Sequence, residues 1–367
     1  MTLRFRLWKP VAAGPIVMWG ATTLAPETNG ATMVAISVLD LVPVNEGESA
    51  GDALRKSIDL ARHAEGLGYT RYWVAEHHNM TGIASAATAV VIGQLAAATS
   101  TMRIGAGGVM LPNHAPLIIA EQFGTLESLF PGRIDLGLGR APGTDQLTMR
   151  AMRRDPHAAH DFPRDVMEVQ AYFEPAEPGQ SIQAVPGAGL NVPLWILGSS
   201  LFGAQLAAEL GLPYAFASHF APEALMQALS VYRERFRPSQ QAKTPHAMPG
   251  ISVIAADTDA EARRLFTSQQ LRFLDMIRGT RGKLKPPVDD IDQHWAPHEK
   301  MQASQMLRYA FVGSPETIAR ELSTFITATR ANEIMATAPI FDHAARKRSF
   351  AILAEVAQGL TPARDAA

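Results

Sequence analysis

The chain has 367 residues, 47% hydrophobic and 19% charged, with 28 glycines and 25 prolines, the profile of a globular protein long enough to bury a sizeable core. The formal net charge is −2 and the basic residues are dispersed, which excludes the electrostatic footprint of a nucleic-acid-binding protein or of one held on an anionic membrane. Cysteine is absent, so disulfides, thiolate metal sites, iron–sulfur clusters and a cysteine nucleophile are excluded, and any redox chemistry must come from a bound cofactor.

Arg4, Arg6 and Lys9 precede an apolar stretch from Val11 to Ala25, a superficial match to a secretory signal. Gly14, Pro15 and Gly20 interrupt that stretch, and it is too short to span a bilayer. Residues 1–32 therefore read as a loosely ordered extension ahead of an internal start at Met33, and the chain as a cytoplasmic protein whose single domain runs from 33 to 367.

Val34 to Leu41 reads as the first strand, ending in Asp40. Asp52 to Leu67 follows as a surface helix stopped by Gly68. Tyr69 to Ala75 is the second strand, with Glu76-His77-His78-Asn79 as its outgoing loop, and Ala84 to Thr99 is a helix of small residues suited to packing on a sheet. The next unit is the clearest in the chain. Ile104 to Leu111 is an apolar strand, Pro112 and Asn113 stop it, Ala115 to Leu129 has amphipathic helical spacing, and Pro131-Gly132 turns the chain into a fourth strand, Ile134 to Leu138. A crossover of this length makes the two strands parallel. Gly107 and Gly108 lie inside the third strand, where glycine forfeits packing and marks a bulge or something approaching the backbone closely.

Phe162 to Phe173 reads as a helix and 174–193 as a Pro/Gly-rich loop over a face. Leu194 to Leu197 is a fifth strand, from which Gly198-Ser199-Ser200 leads into a helix ending at Leu210. Pro213 to Ser218 is a sixth strand, Pro222 to Phe236 a helix, Met248 to Ala255 a seventh strand and Asp259 to Arg278 a helix. The polar segment 281–306 has no clear period and reads as a lid or excursion. Ser314-Pro315-Glu316-Thr317 starts another helix, Asn332 to Ala338 is the eighth strand, and His343 to Gln358 closes the chain. Eight strands alternating with helices predict an α/β fold, a (β/α)8 TIM barrel with inserted lid segments. An open doubly wound sheet would need a glycine-rich phosphate loop after the first strand, and Pro43-Val44-Asn45-Glu46-Gly47 is not one.

Chemistry in a parallel barrel belongs just past the C-terminal strand ends. The residues there are Asp40, Glu76-His77-His78, Asn113-His114, Arg140, Ser199-Ser200 and Ser218-His219. A metal centre is a rival reading, but adjacent His77 and His78 alternate in direction and do not easily face one ion, so no metal is expected. A phosphorylated cofactor fits better: Ser199 and Ser200 stand at a helix start, where free N–H groups favour an anion, and Arg140 offers a permanent bidentate charge.

MRIGAGGVMLP, the helix after it, PGRIDLGLGRAPGTD, and the earlier YWVAEHHN from Tyr72 to Asn79 together resemble the bacterial luciferase-like flavin monooxygenases, and the resemblance runs from about Met33 to the last helix. It implies a monooxygenase that takes reduced FMN as a co-substrate from a separate NAD(P)H-dependent flavin reductase and inserts one atom of O2 into a small organic molecule. It implies a homodimer joined through the helices of 84–99 and 115–129. It assigns the FMN phosphate to Arg140 with Ser199 and Ser200, a non-prolyl cis peptide against the flavin ring to Gly107-Gly108, and the catalytic proton transfer to His77, an imidazole that would exchange protons near neutral pH. His78 and Glu76 become supports, and Asp40 and His114 line the pocket. Gly139 stands where light-emitting members carry cysteine, which speaks against bioluminescence. Sister families on the same barrel use the deazaflavin F420 for hydride transfer, and a flavin-binding protein without turnover is the non-enzymatic alternative.

Overall fold

Strands such as AISVLD and IDLGLG are apolar on both faces, which suits a parallel barrel whose strands are covered outside by helices and filled inside by side chains. The computed structural model describes residues 33–360 except positions 142, 156 and 281. The extension expected over 1–32 lies outside the described residues.

In chain order the elements are β1 (Ala35–Asp40), α1 (Ala50–Gly66), β2 (Arg71–Val74), α2 (Thr88–Ala98), β3 (Arg103–Met110), α3 (Pro116–Leu129), β4 (Ile134–Gly139) and α4 (Gln146–Ala151). They continue with α5 (Phe162–Phe173), β5 (Leu194–Gly198), α6 (Leu201–Leu210), β6 (Tyr214–Phe216), α7 (Leu225–Arg235), β7 (Ala247–Ala255) and α8 (Asp259–Ile277). The last are α9 (Pro297–Met306), β8 (Ala310–Gly313), α10 (Pro315–Thr329), β9 (Glu333–Thr337) and α11 (His343–Ala357). Strands β1 to β6 pair in sequence, all parallel; β7 joins β6, and β9 closes the barrel between β7 and β1, with Ile251 opposite Ala336 and Ile36 opposite Ile334. The expected eight-stranded barrel is therefore present.

Local chemistry explains the boundaries. Ser49 and Asp52 form a reciprocal capping box at the start of α1, Thr258, Ser314 and Asp342 cap α8, α10 and α11 through their side chains, and Gly211 ends α6 at φ 64°. Helix α2 begins at Thr88, later than the sequence reading, because the Ser85 hydroxyl donates to Ala75 O at 2.6 Å and Thr88 Oγ1 to Ser85 O at 3.1 Å, which fixes 84–87 as a loop.

Two elements differ from the sequence reading. β8 is a ninth strand, too short to show a period, which lies outside the barrel and pairs with Ser252 to Ala255 of β7. The excursion of 281–306 contains α9, a polar helix with weak amphipathic spacing that is held by packing of Ala303 and Leu307 against Phe273. The Pro/Gly-rich loop of 174–193 packs on the outside of α3, where Pro186 O lies 2.3 Å from the place a Cβ on Gly124 would occupy. Among the described residues no helix is long and apolar enough to cross a membrane.

The bottom of the barrel is plugged by charge. Arg71 reaches Asp135 at 2.7 Å and Glu333 at 2.8 Å, Arg103 reaches Asp135 at 2.6 Å, and the Arg71 guanidinium stacks on the Trp195 ring at 4.7 Å. Arg71 therefore sees two carboxylates, and burial of the group is compensated by pairing. Above the plug, Leu39, Trp73, Trp195, Met248 and Met335 fill the interior, and the space above them is left for the site.

Candidate active site

A cavity of about 810 Å³ opens at the C-terminal ends of the strands, within the range of cofactor and substrate pockets. His77, Gly107, Gly108, Arg140, Ser199 and Ser200, which the sequence singled out, all line it.

The Gly107–Gly108 peptide is cis. A Cβ on Gly107 would sit 2.9 Å from Leu39 Cδ1, and one on Gly108 would sit 2.7 Å from Gly137 O, so the neighbouring strand and core leave room for hydrogen only. The backbone of β3 is thereby bare toward the cavity. Glu76 holds it from the side: its N–H donates to Gly108 O at 3.1 Å.

The Glu76 carboxylate is buried and is the acceptor for four donors: His78 Nε2 at 2.7 Å, His114 Nε2 at 2.9 Å, Met110 N at 3.0 Å and Asn113 Nδ2 at 3.1 Å. Burial opposes its charge, but the hydrogen bonds from His114, His78 and Asn113 prevail and hold the carboxyl below its usual range. Glu76 thus ties the loop after β2 to the loop after β3. His114 is engaged here and does not line the cavity, contrary to the sequence expectation. Asp40 does not line it either: it is fully buried, accepts from Arg346 Nη2 and Val42 N at 2.8 Å each and from Tyr72 Oη, and joins β1 to α11.

His78 turns to Glu76, and His77 turns to the cavity, the alternation that adjacent residues impose. The His77 Nδ1 is out of reach of bulk water and has no hydrogen-bond partner. Burial, then the positive charge of Arg272, push its pKa down to about 4, so His77 is neutral at pH 7, where an imidazole with an ordinary pKa would be about one-quarter charged. Residue types at the strand end could not show this, because the cause is packing and a charge from α8.

Arg140 and the serines stand on the β4–β5 wall. The Arg140 guanidinium lies 4.1 Å over the ring of Phe202, on α6, which aims it along the start of that helix. Ser200 is the N-cap residue of α6, yet its hydroxyl makes no capping hydrogen bond. The first N–H groups of a ten-residue helix, left uncapped by the Ser200 side chain, therefore share one cavity with two exposed serines and Arg140.

Two residues that the sequence left without a role complete the site. His219, after β6, fits because Gly250 has no side chain: a Cβ there would lie 2.7 Å from His219 Nδ1. That Nδ1 also lacks a partner, and burial, then His77 and Arg272, push its pKa down to about 4. Arg272 comes from the middle of α8, where nothing in the sequence distinguishes it from the arginines that face solvent. The mouth is closed on one side by backbone pairing of three loops, with Val44 N donating to Gly82 O at 3.0 Å and Leu284 N to Val44 O at 2.9 Å. Gly282, from the expected lid segment, and Thr280, just before it, line the cavity there. Among the described residues no cluster of His, Asp and Glu is arranged to hold a metal ion.

The family described as luciferase-like monooxygenase matches residues 33–332. A luciferase-like monooxygenase of Escherichia coli (strain K12) is 54% identical over 328 residues, which cover 89% of this chain and 98% of that protein. Among solved structures, apo-MsnO8 is similar with a TM-score of 0.79 at 36% identity, covering 90% of this chain and 99% of that one. The oxygenating constituent of 3,6-diketocamphane monooxygenase from Pseudomonas putida, in complex with FMN, shares the fold with a TM-score of 0.69 at 18% identity, covering 91% and 100%.

Proposed function

The chain belongs to the luciferase-like monooxygenase family, and from that premise we propose that it binds reduced FMN and uses O2 to oxygenate a small organic molecule. The observation that carries the cofactor choice is the uncapped start of α6, with Arg140 stacked on Phe202 beside the bare Gly107–Gly108 backbone in one cavity. Its parts fit FMN: a dianion site at one end, and a strand stripped of side chains on which a flat ring can rest. When bound, reduced FMN supplies the two electrons that let O2 deliver one atom to the substrate while the other leaves as water.

The chain's own residues do the rest. Arg140, Ser199 and Ser200 hold the phosphate. Gly107 and Gly108 let the ring approach the backbone, and Glu76 keeps that backbone in place. His77 is neutral, so it is ready to accept a proton on a ring nitrogen or to pass one on. Leu39, Met110, Leu197 and Phe202 keep the space dry. Reduced flavin is supplied by a separate NAD(P)H-dependent reductase. The chain assembles as a homodimer through α2 and α3, where Val90 and Ile118 remain 69% and 46% exposed.

The test is oxygen uptake by the purified protein with FMN, NADH and a generic flavin reductase, over a panel of aldehydes, ketones, thioethers and organic acids. The expected result is substrate-dependent uptake above the reductase background. Binding of F420 with hydride transfer and no uptake, or FMN binding with no turnover on any substrate, would overturn the reading.

A further inference from the structure

The wall of the cavity opposite Arg140 carries a second positive charge, Arg272, that forms no ion pair among the described residues. In the closed strand order β4 and β9 stand four strands apart, on opposite sides of the barrel. Arg272 belongs to the β9 side: the neighbouring charge it feels is that of Arg346, which is bonded to Ala338 O at 2.9 Å, just past β9, and to Asp40 at 2.8 Å, at the end of β1. The carboxylates near it are engaged, Asp40 by Arg346 and Asp275, one turn along α8, by Lys285 at 2.8 Å. Among the described residues Arg272 has no hydrogen bond or ion pair, and the charge facing it is repulsive.

The Arg272 side chain is half-buried and faces the cavity, and a guanidinium that has lost part of its solvent favours an anion and hydrogen-bond acceptors in its place. Proteins pair such groups; here Asp40 and Asp275 are taken, and Gln269 Oε1, an acceptor left over nearby on α8, is neutral. Beside Arg272, in the same cavity, stand His77 and His219, each with an unpartnered buried Nδ1. A neutral imidazole can turn an N–H toward an anion without itself becoming charged. Phe220, Phe273 and Met276 give this wall an apolar part, beside Gln269, Thr280 and the Lys285-paired Asp275.

We propose that Arg272 and His219 form an oxyanion subsite for the organic substrate, separate from the cofactor phosphate site on the β4–β5 wall. The substrate is then a small organic acid: its carboxylate pairs with Arg272, His219 donates a neutral N–H, and the apolar body is presented to His77. Arg272 is a binding residue in this scheme and His219 a positioning one. As a statement about substrate it rests on the monooxygenase reading; as a statement about a binding site it rests only on α8 and the loop after β6.

The test uses straight-chain carboxylates from butanoate to octanoate and the matching neutral amides, titrated calorimetrically into the full chain with and without saturating FMN. Carboxylates should bind and amides should not. Arg272→Leu should weaken the carboxylates by roughly ten- to a hundredfold, the worth of a charge-assisted contact, Arg272→Lys should restore part of it, and Arg140→Ala should leave it unchanged. Gly250→Ala, which displaces His219, should weaken carboxylates while sparing FMN. Equal binding of acids and amides to the unaltered chain would overturn the subsite even if Arg272→Leu failed to fold. So would carboxylate binding that depends on Arg140 or is abolished by FMN. Carboxylate binding that depends on Arg272 in a protein that does not take FMN would keep the subsite and sink the monooxygenase reading; FMN-dependent oxygen uptake with no preference for acids would do the reverse.

Discussion

Glu76 and Gly108 are joined by a backbone hydrogen bond of 3.1 Å, while the Glu76 carboxylate receives His114 and His78 at 2.9 and 2.7 Å. One residue therefore fixes the stretch of strand on which a flavin ring would rest and the loop that carries His77. Removing the carboxylate leaves buried donors on Met110, Asn113 and His114 without their acceptor. Glu76→Ala should cost on the order of 3 kcal/mol in denaturant unfolding. The folded-state pKa of Glu76 is depressed, so its contribution is full above its ordinary 4.5 and is lost as pH falls below that. The deficit of the variant should accordingly shrink in unfolding curves recorded below pH 4.5.

The phosphate site predicts a difference between two ligands of equal ring structure. Arg140→Ala should weaken FMN by roughly ten- to a hundredfold and riboflavin hardly at all, because only FMN carries the dianion. Equal losses in fluorescence titrations would remove Arg140 from this role.

His77 and His219 predict a pH dependence of stability in a window that lies mostly above that of Glu76. Both fall from 6.5 to about 4 on folding, so between those values the unfolded chain binds more protons than the folded one, and stability must fall as pH is lowered through the window. His77→Asn with His219→Asn should flatten the melting temperature between pH 6.5 and 4. His77→Ala alone should keep FMN affinity and slow turnover by about 10² to 10⁴. The unaltered enzyme should show no His77 titration near neutrality in its rate profile.

Gly108→Ala places a Cβ 2.7 Å from a backbone oxygen of β4, which cannot yield as a side chain can. It should cost about 1–3 kcal/mol and reduce FMN binding. Gly66, the last residue of α1, has nothing within 4 Å of the same position. Gly66→Ala should be neutral or stabilise by up to about 1 kcal/mol, and a matched loss at both positions in thermal melts would refute the steric account.

Val90 on α2 and Ile118 on α3 are exposed apolar residues on the two helices of the proposed dimer face. Light scattering should give twice the chain mass, and Val90→Asp with Ile118→Asp should give a monomer with unchanged secondary structure. A monomer in the unaltered protein would end this assignment.

Much of the barrel is legible in the chain. The eight barrel strands alternate with helices closely enough to identify the architecture, and position relative to a strand end is a local property, so His77, Gly107, Gly108, Arg140 and the serine pair could be named as candidates. What the sequence could not yield is whatever depends on partners distant along the chain. The bottom plug joins Arg71 to Glu333, 262 positions away, and each of these residues alone reads as an ordinary surface charge. β8 and α9 lack a period of their own and exist by packing against β7 and Phe273. Arg272 looks like its neighbours on an amphipathic helix, and His219 had no stated role. Only closure of the barrel brings both beside His77 in the cavity wall, each half-buried. The same closure decides the protonation state of His77, because a pKa is set by solvation and neighbouring charge, and those are properties of the folded cavity and not of the residue type.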